Sequence, residues 1–424
     1  MSRILKVDGH NLTSANTFAK HISTNHNIKQ IVLVYDFDTI IDRMSHDSVK
    51  WTIMKRRTGL DDLIPLWIAD MDFACPPEVV EALQERAAHP IYGYTVNTEG
   101  YYTGLIKWMD KRHGWKDIQK DWIIWTPGVV AGFSIAIQAH SQPGDKVIIQ
   151  PPVYYPFMSQ IRGTGRQIVE NPLKIVNGNY VMDFEDLAQK IDDRTKMIIL
   201  CSPHNPVGRV WKREELEKLA EICKEKDIII VSDEIHNDLI LGDIKHTPIA
   251  IISEDAMQRT VTLVSPSKTF NLAGLTSANA IIPNKKLRID FNTQIRKGSG
   301  HSNIFGMIAQ DAAYNKGEIW LEELLTYLRG NLKYLEEFLT ERIPRLKLYP
   351  LEGTFLAWVD CTSLGLNDEE LNDFMLKKAK LWLDEGALFG TGGSMFMRIN
   401  IACPRSLLKQ ALENLEKAAK TLRT

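Results

Sequence analysis

Two short stretches put groups of opposite chemistry at the ends of apolar runs. "SDEIHNDL", residues 232–239, places Asp233 at the end of "KDIIIVSDE", and "SPSKTFNLAGL", residues 265–275, places Lys268 just past "RTVTLV". A lysine amine at such a position can form an imine with an aldehyde. Taken singly, each residue has an ordinary reading: Lys268 as a solvated strand-end charge, Asp233 as a strand terminus or helix N-cap. Two further features belong with them. Asn205 follows the run "TKMIILCSPHNP", and "TPGVVAGF" from 126 carries a Pro-Gly turn. A helix starting near Gly128 would offer free backbone N–H groups to an anion.

The elements that must position these groups are short apolar runs, each opened by charge and closed by a turn: "DKVIIQPP" at 145–152, "TKMIILCSPHNP" at 195–206, "KDIIIVSDE" at 226–234 and "RTVTLVSPSK" at 259–268. Runs of β-branched and apolar residues without polar alternation predict strands covered on both faces, as in a parallel sheet. Between them, "WKREELEKLAEICKEK" at 211–226 repeats Leu216, Leu219, Ala220 and Cys223 at helical spacing. The alternation predicts an α/β fold. Ligands of open α/β sheets bind beyond the carboxyl ends of the strands, so Asn205, Asp233 and Lys268 should meet at one rim. Amine, carboxylate and anion-ready turn together suit an aldehyde on a phosphorylated pyridine ring: the amine forms the imine, and the carboxylate keeps the ring nitrogen protonated and the ring electron-withdrawing.

Bulk properties narrow the class. The 424 residues carry 51 Lys plus Arg against 53 Asp plus Glu, a formal charge of −2, and so show no electrostatic commitment to nucleic acid or anionic membrane. The length fits about two or three domains. Five cysteines, at 75, 201, 223, 361 and 403, form no CxxC pair and fit a reduced compartment, the cytoplasm. Residues 1–30 have no apolar core of a secretory signal and read as an N-terminal extension. No run of eighteen apolar residues occurs, and no HExxH or comparable histidine spacing points to a metal. "GTGG" at 390–393 reads as a turn before a strand, bordering a site entrance, and not as a dinucleotide loop.

Beyond about residue 300 the texture changes. "EIWLEELLTYLRGNLKYLEEFLTERIPRLKLYP" predicts one long helix or two joined near Gly330. "TFLAWVD" at 354–360 and "MFMRINIAC" at 395–403 predict a small antiparallel sheet. Arg398 lies among apolar residues of the second run and is costly to bury without a partner.

"WIADMDFACPPEV" at 67–79, "YGY" at 92–94, "SPHNPVGRVW" at 202–211, "SDEIHNDL", "SPSKTFNLAGL" and "RINIACPR" at 398–405 occur in one order over some 340 residues. In these motifs the chain resembles the fold-type I pyridoxal-phosphate enzymes of the class I/II aminotransferase superfamily, and more narrowly the MalY/PatB-like cystathionine β-lyases and C–S lyases. The resemblance implies a three-layer large domain with a mostly parallel sheet at 76–319, and a smaller α/β domain built from 31–75 and 320–424. It implies pyridoxal 5'-phosphate as cofactor, with Lys268 as its imine lysine, Asp233 on the pyridine nitrogen and Asn205 on the phenolic oxygen, His236 near that edge. Tyr154 resembles the residue that stacks on the ring, with Tyr155 as its rival. The phosphate would be held by the backbone of Val129 and Val130 with Ser265 and Ser267. Tyr94 resembles the tyrosine that reaches the neighbouring subunit's phosphate, which implies a homodimer with shared sites. Arg398 resembles the arginine that grips the substrate carboxylate through a two-pronged pair. The substrate side chain would meet residues 67–71, Trp67 included, with Tyr92 and Asn303 nearby. One departure from the aspartate aminotransferase pattern stands out: eight residues past the lysine, where those enzymes carry a phosphate-binding arginine, this chain has Thr276.

Two reactions share this machinery. The lyase motifs imply β-elimination from cystathionine or a related cysteine S-conjugate, giving a thiol, pyruvate and ammonia. The alternative is transamination of a neutral, aromatic or sulfur-containing amino acid. A regulatory protein acting through a partner is a different class, which the balanced charge without a basic stripe argues against; a non-enzymatic relative of the fold is a third, which intact Lys268, Asp233 and Asn205 argue against.

Overall fold

In the computed structural model, which describes residues 35–298 and 301–422, all four apolar runs form strands of one sheet. The expected N-terminal extension, residues 1–30, lies outside the described residues. The strands are β1 (Ile123–Thr126), β2 (Lys146–Ile149), β3 (Gln167–Glu170), β4 (Thr195–Cys201), β5 (Ile229–Asp233), β6 (Thr260–Val264) and β7 (Ala278–Ile281), in the order β1-β7-β6-β5-β4-β2-β3. Only β7 runs antiparallel to its neighbours.

The lack of polar alternation in these runs has a direct cause. In β4, Met197, Ile199 and Cys201 join one apolar core while Ile198 and Leu200 join another on the opposite face. Both faces are covered by helices, so successive side chains need to be apolar whichever way they point. On one face lie α1 (Val129–His140) and, packed against it, a helix that begins after its Asn284 cap; on the other lies α2 (Arg213–Glu225), which buries Leu216, Leu219, Ala220 and Cys223 as its spacing predicts.

The C-terminal half begins with α3 (Ile304–Lys316) and continues into α4 (Glu318–Arg342), which is a single helix. Gly330 does not interrupt it. A Cβ there would come within 2.7 Å of Arg405 Nη2, so glycine serves the close approach of that arginine. A second, antiparallel sheet contains β8 (Lys347–Leu348), β9 (Leu356–Asp360), β10 (Asp384–Glu385) and β11 (Phe396–Asn400), in the order β8-β9-β11-β10. Its register sets Trp358 opposite Arg398 on one side and Asp384 opposite Arg398 on the other. Asn331 of α4 donates to the carbonyls of Ile401 and Cys403, tying the long helix to the end of β11.

A buried ion-pair network, with no warning in the linear pattern, anchors residues 43–51 to residues 70–72. Lys50 is fully buried and its Nζ lies 2.6 Å from Asp72 Oδ2, while Arg43 bonds Asp70 at 2.6 Å and Asp72 at 2.7 Å. The indole of Trp51 also donates to Asp72, at 2.9 Å. Burial pushes the Asp72 carboxyl up, but Lys50, Trp51 and Arg43 together outweigh it and hold the group below the usual carboxylate range. Removing one partner of a buried pair leaves charge without compensation. Lys50→Met is therefore expected to destabilise the fold by about 3 kcal/mol, read as a lower denaturant midpoint. An undiminished midpoint would show that Arg43 and Trp51 suffice for Asp72.

Candidate active site

The carboxyl ends of β4, β5 and β6 lie side by side, with Cys201 opposite Asp233 and Asp233 opposite Leu263 in the ladder. The residues that follow each strand open onto one cavity of about 410 Å³. It is lined by Val129, Val130, Tyr154, Asn205, Asp233, His236, Ser265, Ser267 and Lys268, so nine of the residues singled out in the sequence converge there. Gly128, Cys201, Thr276 and Ser277 complete much of the wall.

Lys268 sits in a one-turn helix, Pro266–Thr269, whose N-cap Ser265 accepts from Ser267 N and donates to the Ser277 carbonyl. Its amine donates to the carbonyl of Ala69. Behind it, Thr269 donates at 2.8 Å to Asp238, a buried carboxylate also held by His113 and Trp108. This is the work of the last acidic residue in "SDEIHNDL": it is not part of the cavity wall, and it pins the turn that carries the lysine.

Asp233 is buried at the end of β5, and its Oδ1 accepts from Ile235 N at 3.1 Å. Burial pushes its carboxyl up from the ordinary 3.8 to about 7; the Ile235 N–H opposes this, Glu234 adds to it, and Lys268 opposes it. Burial likewise pushes the Lys268 amine down from 10.5 to about 8, with Asp70 and Asp233 pulling up and Arg398 pushing down. His236 is buried, its Nδ1 has no partner among the described residues, and burial with the nearby Lys268 and Arg398 cations holds it well below its ordinary range, hence neutral.

The two shifts act on stability in opposite pH windows. Between about 4 and 7 the folded state binds a proton at Asp233 that the unfolded state has lost, so stability falls as pH rises through that window. Between about 8 and 10.5 the unfolded state holds a proton at Lys268 that the folded state has lost, so stability rises with pH there. The protein without a bound ligand is therefore expected to melt lowest near pH 7–8, with Asp233→Asn flattening the acid limb and Lys268→Met the alkaline limb. A melting profile unchanged by both substitutions would refute this account.

α1 starts directly after Gly128, which sits at a φ of 142° and, as a glycine, has no side chain to cap the helix. The first N–H groups, those of Val129 and Val130, thus border the cavity without a side-chain acceptor from the cap, as an anion requires. Thr276, at a φ of 47°, lines the same cavity.

Tyr154 and Tyr155 separate. Tyr154 lines this cavity, whereas Tyr155 lines an adjoining one with Trp67, Trp382 and Asp384. Arg398 is buried behind Asn205: Nη1 donates to Asn205 Oδ1 at 2.9 Å, and Nη2 donates to the Trp67 carbonyl at 2.9 Å and to Asp384. Trp67 thus meets Arg398 through its backbone, while its ring stacks on Trp382 with centroids 4.3 Å apart. Arg398, Trp67, Tyr92, Asn303 and Tyr94 do not line the cavity. Asn303 caps α3, accepting from Phe305 N and donating to the Leu275 carbonyl, which commits its side chain to the helix end. Tyr94 is 98 % exposed, in a stretch with exposed Ile91, Tyr92 and Val96. Asp384 escaped notice in the sequence because "LWLDEG" carries no local signal; only strand pairing sets it against Arg398.

A fold of this kind with an amine and a carboxylate at the rim defines a cofactor-dependent enzyme of amino-acid chemistry, and comparison with known proteins agrees. The family model described as aminotransferase class I and II matches residues 61–415, and the chain belongs to that family. Two relatives narrow the branch to the MalY/PatB-like group. The chain is 44% identical over 385 residues to cystathionine beta-lyase PatB of Bacillus subtilis (strain 168), covering 90% of this chain and 99% of the relative. It is 31% identical over 394 residues to protein MalY of Escherichia coli (strain K12), covering 92% and 100%. Among solved structures, cystalysin from Treponema denticola, which contains a pyridoxal 5'-phosphate cofactor, superposes with a TM-score of 0.89 at 39% identity, covering 92% of this chain and 100% of that one.

Proposed function

We propose that this chain uses pyridoxal 5'-phosphate to cleave the carbon–sulfur bond of cystathionine or a related cysteine S-conjugate by β-elimination, releasing a thiol, pyruvate and ammonia. The observation that carries the reading is the pair of groups lining one cavity: a buried amine whose proton affinity is lowered and a buried carboxylate that forms no ion pair among the described residues. The residues fit the cofactor. Asp233 forms no ion pair among the described residues, a place a protonated ring nitrogen would fill; the start of α1 offers N–H groups to a phosphate, and Ser267 adds a hydroxyl. When bound, the cofactor supplies an electron sink for the pair of electrons left when the substrate loses its α-proton.

The chain's own residues do the rest. Lys268, once its amine is free, takes the α-proton, and its lowered proton affinity keeps it a base at neutral to mildly alkaline pH. Asp233 would hold positive charge at the ring nitrogen. Asn205 stands between Arg398 and the cavity and can donate from its amide nitrogen to the ring's oxygen, because its Oδ1 is turned to Arg398. Tyr154, which lines the cavity, would cover the ring, and Arg398 would bind the substrate carboxylate and so orient the α C–H bond. Neutral His236 adds no charge near the same edge.

The exposed run of Ile91, Tyr92, Tyr94 and Val96 supports a homodimer in which Tyr94 completes the partner's phosphate site. We keep 31–75 with 320–424 as a small domain and 76–319 as a large domain; among the described residues the four-stranded sheet falls within the first and the seven-stranded sheet within the second. Five unpaired cysteines suit the cytoplasm. The test is incubation of the purified holoenzyme with L-cystathionine. Catalytic pyruvate and ammonia release without an acceptor keto acid is expected; turnover only when a keto acid is added would assign transamination instead.

A further inference from the structure

Arg398 already carries a carboxylate. β10 and β11 pair antiparallel with Asp384 directly opposite Arg398, so both side chains project from the same face of the small sheet. The resulting ion pair is almost fully buried, with side-chain exposures of 2% and 7%. A guanidinium offers two forks to a carboxylate, one made by Nε and Nη2 and the other by Nη1 and Nη2. Both N–H groups of Nη2 are in use, on Asp384 and on the Trp67 carbonyl, and one on Nη1 is given to Asn205. The buried Nε–H has no partner among the described residues. Neither fork is complete, and Asp384 cancels the charge that should attract an incoming anion.

A two-pronged carboxylate must therefore take an Nη2 proton from one of two acceptors. The Trp67 carbonyl is held by its chain: Leu66 N bonds the Trp382 carbonyl, and Asn400 Nδ2 donates to the carbonyls of Ile68 and Asp70. The bond of Asp384 to Arg398 is made by its side chain alone, from a two-residue strand at the sheet edge, and that side chain also lines the adjoining cavity with Trp67, Tyr155, Trp382 and Glu385. We propose that Asp384 occupies the place on Arg398 that the substrate's α-carboxylate takes, and that substrate binds by displacing Asp384 into this adjoining cavity. Asp384 is then a specificity device: only a ligand with its own carboxylate can replace it on the buried arginine, and an amine without one leaves the pair closed. Burial pushes the Asp384 carboxyl above its ordinary range despite the pull of Arg398, so the pair is held by the fold against a desolvation cost that favours exchange.

The inference rests on the reading of Arg398 as the carboxylate site, and the test separates the two. Inhibition of the holoenzyme is measured with 3-(methylthio)propanoate, a carboxylate without the amine, and with S-methylcysteamine, an amine without the carboxylate. Asp384→Asn is expected to lower the inhibition constant of the carboxylate about tenfold or more and to leave that of the amine within about twofold. An unchanged or raised constant for the carboxylate, or equal tightening of both probes, overturns the displacement. A crystal structure of the unsubstituted holoenzyme with 3-(methylthio)propanoate should show Asp384 off Arg398; the carboxylate seated on Arg398 beside an unmoved Asp384 overturns it as well. If Arg398→Lys fails to weaken 3-(methylthio)propanoate, the carboxylate role of Arg398 itself falls.

Discussion

Lys268→Ala is expected to leave a folded protein that binds pyridoxal phosphate without forming the imine and turns over L-cystathionine at least about 10⁴-fold more slowly. The residue is asked to do two things, to hold the cofactor covalently and then to act as base, and no second amine is placed to replace it: among the residues lining the cavity it is the sole lysine. Folding should survive because the amine is a burden on the apoprotein. Burial has already pushed its proton affinity down from 10.5 to about 8, so its removal relieves desolvation. Three measurements decide the matter: pyruvate release, the visible absorbance of the protein-bound imine, and borohydride reduction followed by peptide mass mapping to position 268. Label found on another lysine, or activity within about tenfold of the parent, would remove Lys268 from its role.

Asp233→Asn is expected to separate stability from activity. In the protein without cofactor, an isolated carboxylate held at about 7 costs the folded state on the order of 4 kcal/mol above that pH. The amide carries no charge to desolvate, so at pH 8 the apoprotein should gain about 2 kcal/mol, the remainder being the cost of burying the amide itself. Turnover should move the other way, falling about 10²–10³-fold, because an amide does not hold a proton on the ring nitrogen and the ring withdraws electrons less well. Chemical denaturation of the apoprotein and steady-state pyruvate release measure the two arms. A variant that loses both stability and activity would mark Asp233 as a structural carboxylate, and one that keeps full turnover would show that the ring needs no partner at this position.

The main sheet was legible because its cause is local. A strand covered on both faces must be apolar at every position, and four such runs stand out in the chain without any knowledge of their order. Asp233, Asn205 and Lys268 were legible for the same reason, each following one run, and parallel packing brings such ends to one rim. Arg398 showed itself as a charge in an apolar run. Asn303 illustrates the opposite case: its sequence neighbourhood does not distinguish a residue facing a substrate from one capping a helix, and the choice was made by the start of α3.

What the sequence determined by itself is the inventory of chemistry and the strands that carry it, since periodicity and end-of-strand position are properties of a few consecutive residues. The tertiary structure decided the partnerships: Lys50 with Asp72, Thr269 with Asp238, Tyr154 rather than Tyr155 at the cavity, and above all Asp384 against Arg398. Those depend on register and packing between separate segments, and a one-residue slip of the edge strand would turn Asp384 to the other face while leaving every local pattern intact.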